Sequence, residues 1–309
     1  MTSTLPICPL CPHACVVDVD KTGRCGARHS PTGITVTAAN YGHVTSLALD
    51  PIEKKPLARF HPGSKVLSVG SYGCNLNCPF CQNSSIARLR ARDVCDRKLT
   101  GGVSLVNPNV RDGGLTKLTR ETPPVNFLPE QLAAYALQTV NHGNVGVAYT
   151  YNEPLVGYEY VLDCARLVHE ANLLNVIVTN GYINEQPWLE LLPHLDAANI
   201  DLKGFTQTFY DRVDAPRGLE TVKRSIALAA TRIHVEVTTL IVPGLNDVSE
   251  EIDALAAWLA SIDPAIPLHL TRFFPAHRMS NAAPTPRQTI LDLVDVAKTH
   301  LHNVIPGNM

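Results

Sequence analysis

Cys74, Cys78 and Cys81 fall within the eleven residues GCNLNCPFCQN (73–83), and no fourth cysteine lies in that stretch. A structural zinc site normally closes with four N or S ligands, whereas a catalytic centre keeps one coordination place open for water or substrate. Three thiolates suit the open kind. Iron–sulfur clusters usually take four cysteines, so a cubane on three leaves one iron free for another ligand. The competing reading is a partial zinc site completed by a distant His or Cys, for which the twelve histidines of the chain supply candidates. A second set is complete in itself. CPLCPHACVVDVDKTGRC places Cys8, Cys11, Cys15 and Cys25 in the spacing C-x2-C-x3-C-x9-C. Four ligands close a tetrahedral shell, so this set is expected to hold a separate metal with a mainly structural role, either a zinc or an auxiliary iron–sulfur cluster. Cys95 and Cys164 stand apart from both groups and read as small buried hydrophobes.

The elements that must position these residues show an α/β rhythm. Short β-rich runs at 65–71, 144–150, 175–180, 197–202, 234–242 and 267–274 alternate with longer stretches of helical period, such as YEYVLDCARLVHE and EEIDALAAWLASI. That alternation predicts βα units and a parallel sheet. Six parallel units form either a doubly wound open sheet or an incomplete barrel, and periodicity does not separate them. Two regions break the rhythm. Residues 1–64 hold four cysteines and the strand-like GITVTAANYGHVTSLAL, and they read as a small β-rich cap ahead of a main domain at 65–309. Residues 85–126 form an insertion far longer than the ~4–6 residues of a usual βα connection. It carries eight Lys/Arg against four Asp/Glu and no aromatic residue, so it reads as a basic lid over the cysteine loop.

The cysteine loop follows the first strand, at the carboxyl end where α/β folds build their sites. Its C-x3-C-x2-C spacing, with Phe80 just before the last cysteine, resembles the cluster loop of the radical S-adenosylmethionine (SAM) superfamily. The resemblance implies a [4Fe-4S] cluster on Cys74, Cys78 and Cys81, with the amino and carboxylate groups of SAM on the open iron. One electron from such a cluster cleaves SAM to methionine and a 5′-deoxyadenosyl radical, which abstracts hydrogen from a substrate. The later strand ends agree with it. YTYNEP is similar to the family's Gly-Gly-Glu segment and assigns Asn152 and Glu153 to the SAM site, with Tyr151 and Asn152 replacing glycines, so the local turn is expected to differ. VTNGY resembles the DTNG of glycyl-radical-enzyme activases, with Val178 in the aspartate's place, and assigns Thr179 and Asn180. DLKG assigns Asp201 and Lys203, the lysine near the SAM carboxylate, and RFFPAH assigns His277. VPGLND reads simply as a strand-to-helix turn. Together with the cysteine-rich leader, these motifs resemble the radical SAM enzymes of the AmmeMemoRadiSam system, relatives of pyruvate formate-lyase activating enzymes. All the strand-end motifs would meet at one barrel mouth. The expected fold is therefore an α/β, incomplete (β/α)6 TIM-like barrel with a small N-terminal cysteine-containing β-rich cap. Two features depart from that family pattern: the long basic insertion after the cysteine loop, and a carboxyl terminus that stops at NVIPGNM just where a final strand and tail are expected.

Composition sets the bounds. The 309 residues are 45% apolar and 17% charged, which describes a globular protein with a sizeable core. Net charge is −2 with an isoelectric point near 6.6, so neither nucleic acid nor an anionic membrane is an expected partner. MTSTLPICPL lacks a basic n-region and an unbroken apolar h-region, and the expected location is the cytoplasm, where thiols stay reduced. The expected function is SAM cleavage by a radical SAM enzyme acting on an unidentified substrate, a protein among the candidates, with an electron donor such as flavodoxin or ferredoxin. Two other readings stand beside it: a glycyl-radical enzyme activase, and a non-catalytic zinc-binding interaction protein.

Overall fold

The computed structural model describes residues 5–95 and 124–309. The proposed lid falls mainly on 96–123, outside the described residues, as does the Cys95 side chain.

One eight-stranded sheet carries the molecule, and its strands follow one another in chain order. They are β1 (Ser46–Pro51), β2 (Lys65–Gly70), β3 (Asn144–Tyr149), β4 (Leu174–Thr179), β5 (Ala197–Asp201), β6 (His234–Ile241), β7 (Leu268–Arg272) and β8 (Val304–Gly307). β1 is antiparallel to β2, and every later neighbour pair is parallel. Among the described residues β1 and β8 are the two edges of the sheet. All six predicted strands are present. Two more join them: Ser46–Pro51, from the segment read as cap, and Val304–Gly307, within the NVIPGNM stretch where the sequence reading places no strand. The expected boundary at residue 65 thus falls between two paired strands.

The parallel strands are buried on both faces and are correspondingly rich in Val, Ile, Leu and Ala. Helices cover the outside. In Tyr158–Glu170, Tyr160, Val161, Cys164, Ala165 and Val168 repeat at helical spacing and are all buried, so Cys164 is the small core residue its isolation suggested. Gly218–Ala230, Ser249–Ile262 and Arg287–Ala297 bury one face in the same way. Ahead of the sheet, Arg28–His29 pairs with Thr37–Ala38, and His43–Val44 pairs with Val125–Asn126 across the insertion. The buried Arg28 fastens this cap to the helix at 158–170 through two bonds to Glu159, 2.5 and 2.9 Å.

The amino-terminal end of the sheet is closed by the segment after β1. Glu236 of β6, fully buried, accepts from the backbone N–H groups of Ala58 (3.0 Å) and Arg59 (2.7 Å), and from His234 (3.0 Å) and His269 (2.6 Å). Burial alone would push this carboxyl up. The four donors win and bring it down to about 2 from 4.5. A depressed carboxyl stabilises the fold above its unfolded pKa, and that stabilisation is lost as pH falls through the folded value. Between pH 4.5 and 2 the parent should therefore lose about 3 kcal/mol that a Glu236→Gln variant does not lose. Urea unfolding across that range is the check, and parallel pH profiles for the two proteins would contradict it.

Candidate functional site

The loop bearing Cys74, Cys78 and Cys81 leaves β2 at the carboxyl edge of the sheet and is held mainly through its backbone. The Asn152 side chain accepts from Ser71 N–H (2.9 Å) and donates to the carbonyls of Tyr72 and Gly73 (both 3.1 Å). Asn77 N–H donates to the Val213 carbonyl at 2.8 Å. Arg88 reaches Asn77 Oδ1 (3.2 Å) and the Leu76 carbonyl. Arg278 reaches the Asn77 carbonyl (2.6 Å), and its N–H donates to the Pro79 carbonyl (3.0 Å). Gly73 stands at φ +89°, where a Cβ would come within 2.8 Å of the Cys25 carbonyl and of Ala27, so glycine is required where loop and cap touch. Cys74 Sγ accepts from Leu76 N–H (3.4 Å) and faces Asn180 Nδ2 at 3.8 Å. Burial pushes the Cys74 thiol up, and Cys78 up to about 11, so these groups become thiolates only when a cation takes the proton's place.

The three thiols share one cavity of about 410 Å³ with Phe80, Asn152, Glu153, Thr179, Asn180, Asp201 and Lys203. Every residue assigned from sequence to the cluster and the SAM site is there except His277, which lies exposed in the short turn His277–Met279, while Cys8, Cys11, Cys15 and Cys25 line a separate cavity. That turn instead delivers Arg278 to the loop.

Lys203 sits 2.8 Å from Asp201 Oδ2 with 16% of its side chain exposed. Burial would pull the ammonium down. Asp201 and the Cys78 sulfur reverse this and hold it above its usual range, so the cavity keeps a permanent cation beside the thiols. Asn246, in the segment that read as a plain turn, fixes the Lys203 carbonyl at 2.8 Å. Glu153 accepts from Thr179 Oγ1 (2.7 Å), Asn180 N–H (2.8 Å) and Leu155 N–H (3.1 Å). Burial outweighs these bonds and pushes its carboxyl up to about 7. The Asn152 amide, by contrast, is used up on the cysteine loop, and its role in the cavity is to hold that loop.

Sequence reasoning missed Tyr151 and Lys55. Tyr151 was expected to change the turn because it is not glycine, yet it takes the left-handed conformation itself, at φ +73°. Such a backbone costs about 1–2 kcal/mol and persists when the surroundings impose it. Here Tyr151 Oη donates to Asp50 Oδ2 at 2.7 Å, and the buried Lys55, 3.0 Å from the same carboxylate, stands 4.7 Å from the ring centroid. The signal was a tyrosine standing where the pattern has glycine.

No group of three or more His, Cys, Asp or Glu among the described residues is placed to hold a single metal ion.

Comparison with known proteins gives the family and the fold. The model of the Radical SAM superfamily matches residues 68–259. The uncharacterized protein MJ0808 of Methanocaldococcus jannaschii is 34% identical over 285 residues, 92% of this chain and 75% of that one. The 4-hydroxyphenylacetate decarboxylase activating enzyme of Clostridium scatologenes is 27% identical over 175 residues, 46% of this chain and 55% of its own. Among solved structures, a radical SAM methyltransferase from Sphaerobacter thermophilus shares the fold, with TM-score 0.51 and 14% identity over 80% of this chain and 67% of that one.

Glu153 supports the site by accepting three buried donors at once. Glu153→Ala should leave all three unmet and lower stability by about 2–5 kcal/mol, measured by urea denaturation. A loss below about 1 kcal/mol would show that the three donors find other acceptors.

Proposed function

The chain belongs to the radical SAM superfamily, and from that membership we propose that it binds a [4Fe-4S] cluster on Cys74, Cys78 and Cys81 and cleaves SAM to abstract hydrogen from a polypeptide substrate. It is an enzyme, and the reading as a non-catalytic zinc-binding protein falls away. The observation that carries the proposal is the single cavity in which three thiols, the Lys203–Asp201 pair and Glu153 meet. When bound, the cluster supplies the electron that splits the sulfonium of SAM into methionine and a 5′-deoxyadenosyl radical.

The remaining work belongs to the side chains. Lys203, kept charged, is the partner for the SAM carboxylate, and Asp201 fixes its direction. Glu153 sets the backbone of Thr179 and Asn180 and offers negative charge to the SAM ammonium. Asn180 donates toward Cys74 Sγ, and such bonds to cluster sulfur tune its potential. Phe80, 3% exposed, packs 6.0 Å from the Phe209 ring and keeps water from the wall behind the loop. His277, which does not line this cavity, carries no contact in this reading.

Two observations support a polypeptide acceptor. The relative from Clostridium scatologenes is named as an activating enzyme of another enzyme, which also favours the narrower reading as a glycyl-radical enzyme activase. In addition, a cavity of about 1000 Å³ is lined by residues of β1 and β8, the sheet's edges among the described residues, and it shares Lys55, Tyr151, Thr271 and Asn308 with the thiol-lined one. Membership of the AmmeMemoRadiSam group, a flavodoxin or ferredoxin as donor, a second metal on Cys8, Cys11, Cys15 and Cys25, and a cytoplasmic location complete the proposal. So does a division of labour between the cap, 1–64, and the catalytic region, 65–309. No helix among the described residues is long and apolar enough to cross a membrane.

Replacing any one of Cys74, Cys78 or Cys81 by Ala should abolish SAM cleavage in anaerobically prepared, reconstituted protein. Near-normal cleavage in a folded variant would sink the cluster assignment. Lys203→Ala should weaken SAM binding by about 1.5–3 kcal/mol, roughly 10- to 150-fold in Kd, read by equilibrium binding. An unchanged Kd removes Lys203 from the SAM site.

A further inference from the structure

We propose that Tyr151 carries the radical from the thiol-lined cavity to the lateral one: its hydroxyl gives a hydrogen atom to the 5′-deoxyadenosyl carbon and then takes one from a C–H bond of the polypeptide. The relay rests on the radical SAM reading above; the redox character of Tyr151 does not.

The need for a carrier comes from the two volumes. A site for one small molecule commonly measures about 300–1,000 Å³, so SAM takes up most of the thiol-lined cavity, about 410 Å³. A polypeptide segment fits the lateral cavity, about 1000 Å³. The side chains common to both cavities are two lysines, a proline, two asparagines, a threonine and Tyr151. Of these, only the phenol releases a hydrogen atom and leaves an unpaired electron spread over a ring.

The groups around this phenol suit that use. Its hydroxyl donates to Asp50 Oδ2 at 2.7 Å, and Asp50 lines the lateral cavity but not the thiol-lined one. A hydroxyl hydrogen turns to suit its partner, so one O–H can serve both sides. Burial and the bond to Asp50 hold the phenol well above its ordinary pKa range, against the pull of the neighbouring Ser68 hydroxyl. The hydrogen therefore stays on the oxygen at neutral pH, as a hydrogen-atom donor requires. Ser68, in β2, is fully buried and has no hydrogen-bond partner among the described residues. A buried donor left free calls for a reason. A phenoxyl oxygen that has lost its own hydrogen supplies one, since Ser68 Oγ–H can then donate to it.

Lys55 sets the strength of the radical. Its ammonium stands 4.7 Å from the ring centroid, and a cation attracted by the electrons of a ring opposes their loss. Electron and proton must then leave together, and the phenoxyl that results is a strong hydrogen acceptor. The left-handed backbone at Tyr151, φ +73°, is strain of the kind that persists where a site needs one side chain in one place.

The steps balance. The C5′ radical takes the hydrogen atom from Tyr151 Oη, giving 5′-deoxyadenosine and a phenoxyl radical. The phenoxyl takes a hydrogen atom from the polypeptide, which restores the phenol and leaves the unpaired electron on carbon. With no polypeptide present, one electron from the reductant and one proton from water restore the phenol.

The hydroxyl exchanges its hydrogen with solvent and C–H bonds do not, which gives the test. Reconstituted parent protein, supplied with SAM and dithionite in deuterium oxide and no other substrate, should place solvent deuterium in 5′-deoxyadenosine. In Tyr151→Phe the labelled fraction, read per molecule of product, should fall by an order of magnitude. Unlabelled product from the parent, or equal labelling in the two proteins, overturns the relay. A parent that forms no 5′-deoxyadenosine sinks the radical SAM reading, and the relay with it. The redox character is read in protein without cluster or SAM, oxidised by a flash of light with ruthenium tris(bipyridine) and persulfate. A long-lived tyrosyl signal in electron paramagnetic resonance should vanish in Tyr151→Phe and decay several-fold faster in Ser68→Ala. A long-lived signal that survives in Tyr151→Phe, or no such signal in the parent, removes Tyr151 from this role.

Discussion

Keeping Cys74, Cys78 and Cys81 around one cavity means burying a loop whose backbone polar groups have left water, and each of those groups must then find a partner. The sheet alone does not supply them. They come from Asn152 after β3, from the Val213 carbonyl after β5, from Arg88 in the insertion, and from Arg278 after β7. The cap adds the Cys25 carbonyl and His13. Strand ends far apart in sequence are thus tied to one short loop, which explains why the cavity is assembled where it is. A loop fixed from several sides is preorganised, and little order remains to be imposed when a cofactor arrives.

The electrostatics follow from the same burial. Glu153, Asp201 and Lys203 share a space lined by thiols, where Lys203 is stabilised by Asp201 and Glu153 by three donors. Glu153 nonetheless remains close to protonation at neutral pH, because burial costs its anion more than the hydrogen bonds return. A cation bound nearby would tip that balance toward the carboxylate. The site therefore holds a fixed positive charge at Lys203 and an adjustable negative one at Glu153, a pairing suited to a zwitterionic amino-acid head group.

Much of this could be read in the residues, and what could not has physical reasons. The six inner strands announce themselves through apolar runs, and the strand-end motifs lead to the cavity because parallel strands bring their carboxyl ends together. The edge strands are less legible. Ser46–Pro51 runs antiparallel from a region whose cysteines suggested a separate cap, and Val304–Gly307 is short and contains Pro306. Asn152 was recognised as a site residue but not as a clasp, since a sequence does not say which of two neighbours an amide will bond. Arg88 read as one charge among eight in a basic run, although its guanidinium is a specific loop anchor. Arg278 was passed over for its neighbour His277, because a histidine carries more chemistry in prospect than an arginine.

The two edges also constrain what can enter between them. An unpaired edge invites an extended peptide to add as another strand, and proline withholds one of the N–H groups such pairing uses. Here β1 ends in Pro51 and β8 contains Pro306. The buried Lys55, tied to Asp50 and stacked on Tyr151, lines both the wide lateral cavity and the thiol-lined one. Extension of the sheet is therefore disfavoured, and recognition falls to side chains that line the gap. Tyr151 stands at that junction in a backbone conformation that its Asp50 bond helps to hold, so a ligand that displaced Lys55 from Asp50 would disturb the turn that also carries Asn152 and Glu153. Two adjacent residues thus face opposite ways: Tyr151 holds Asp50 beside the lateral cavity, and Asn152 holds the cysteine loop through the Tyr72 and Gly73 carbonyls.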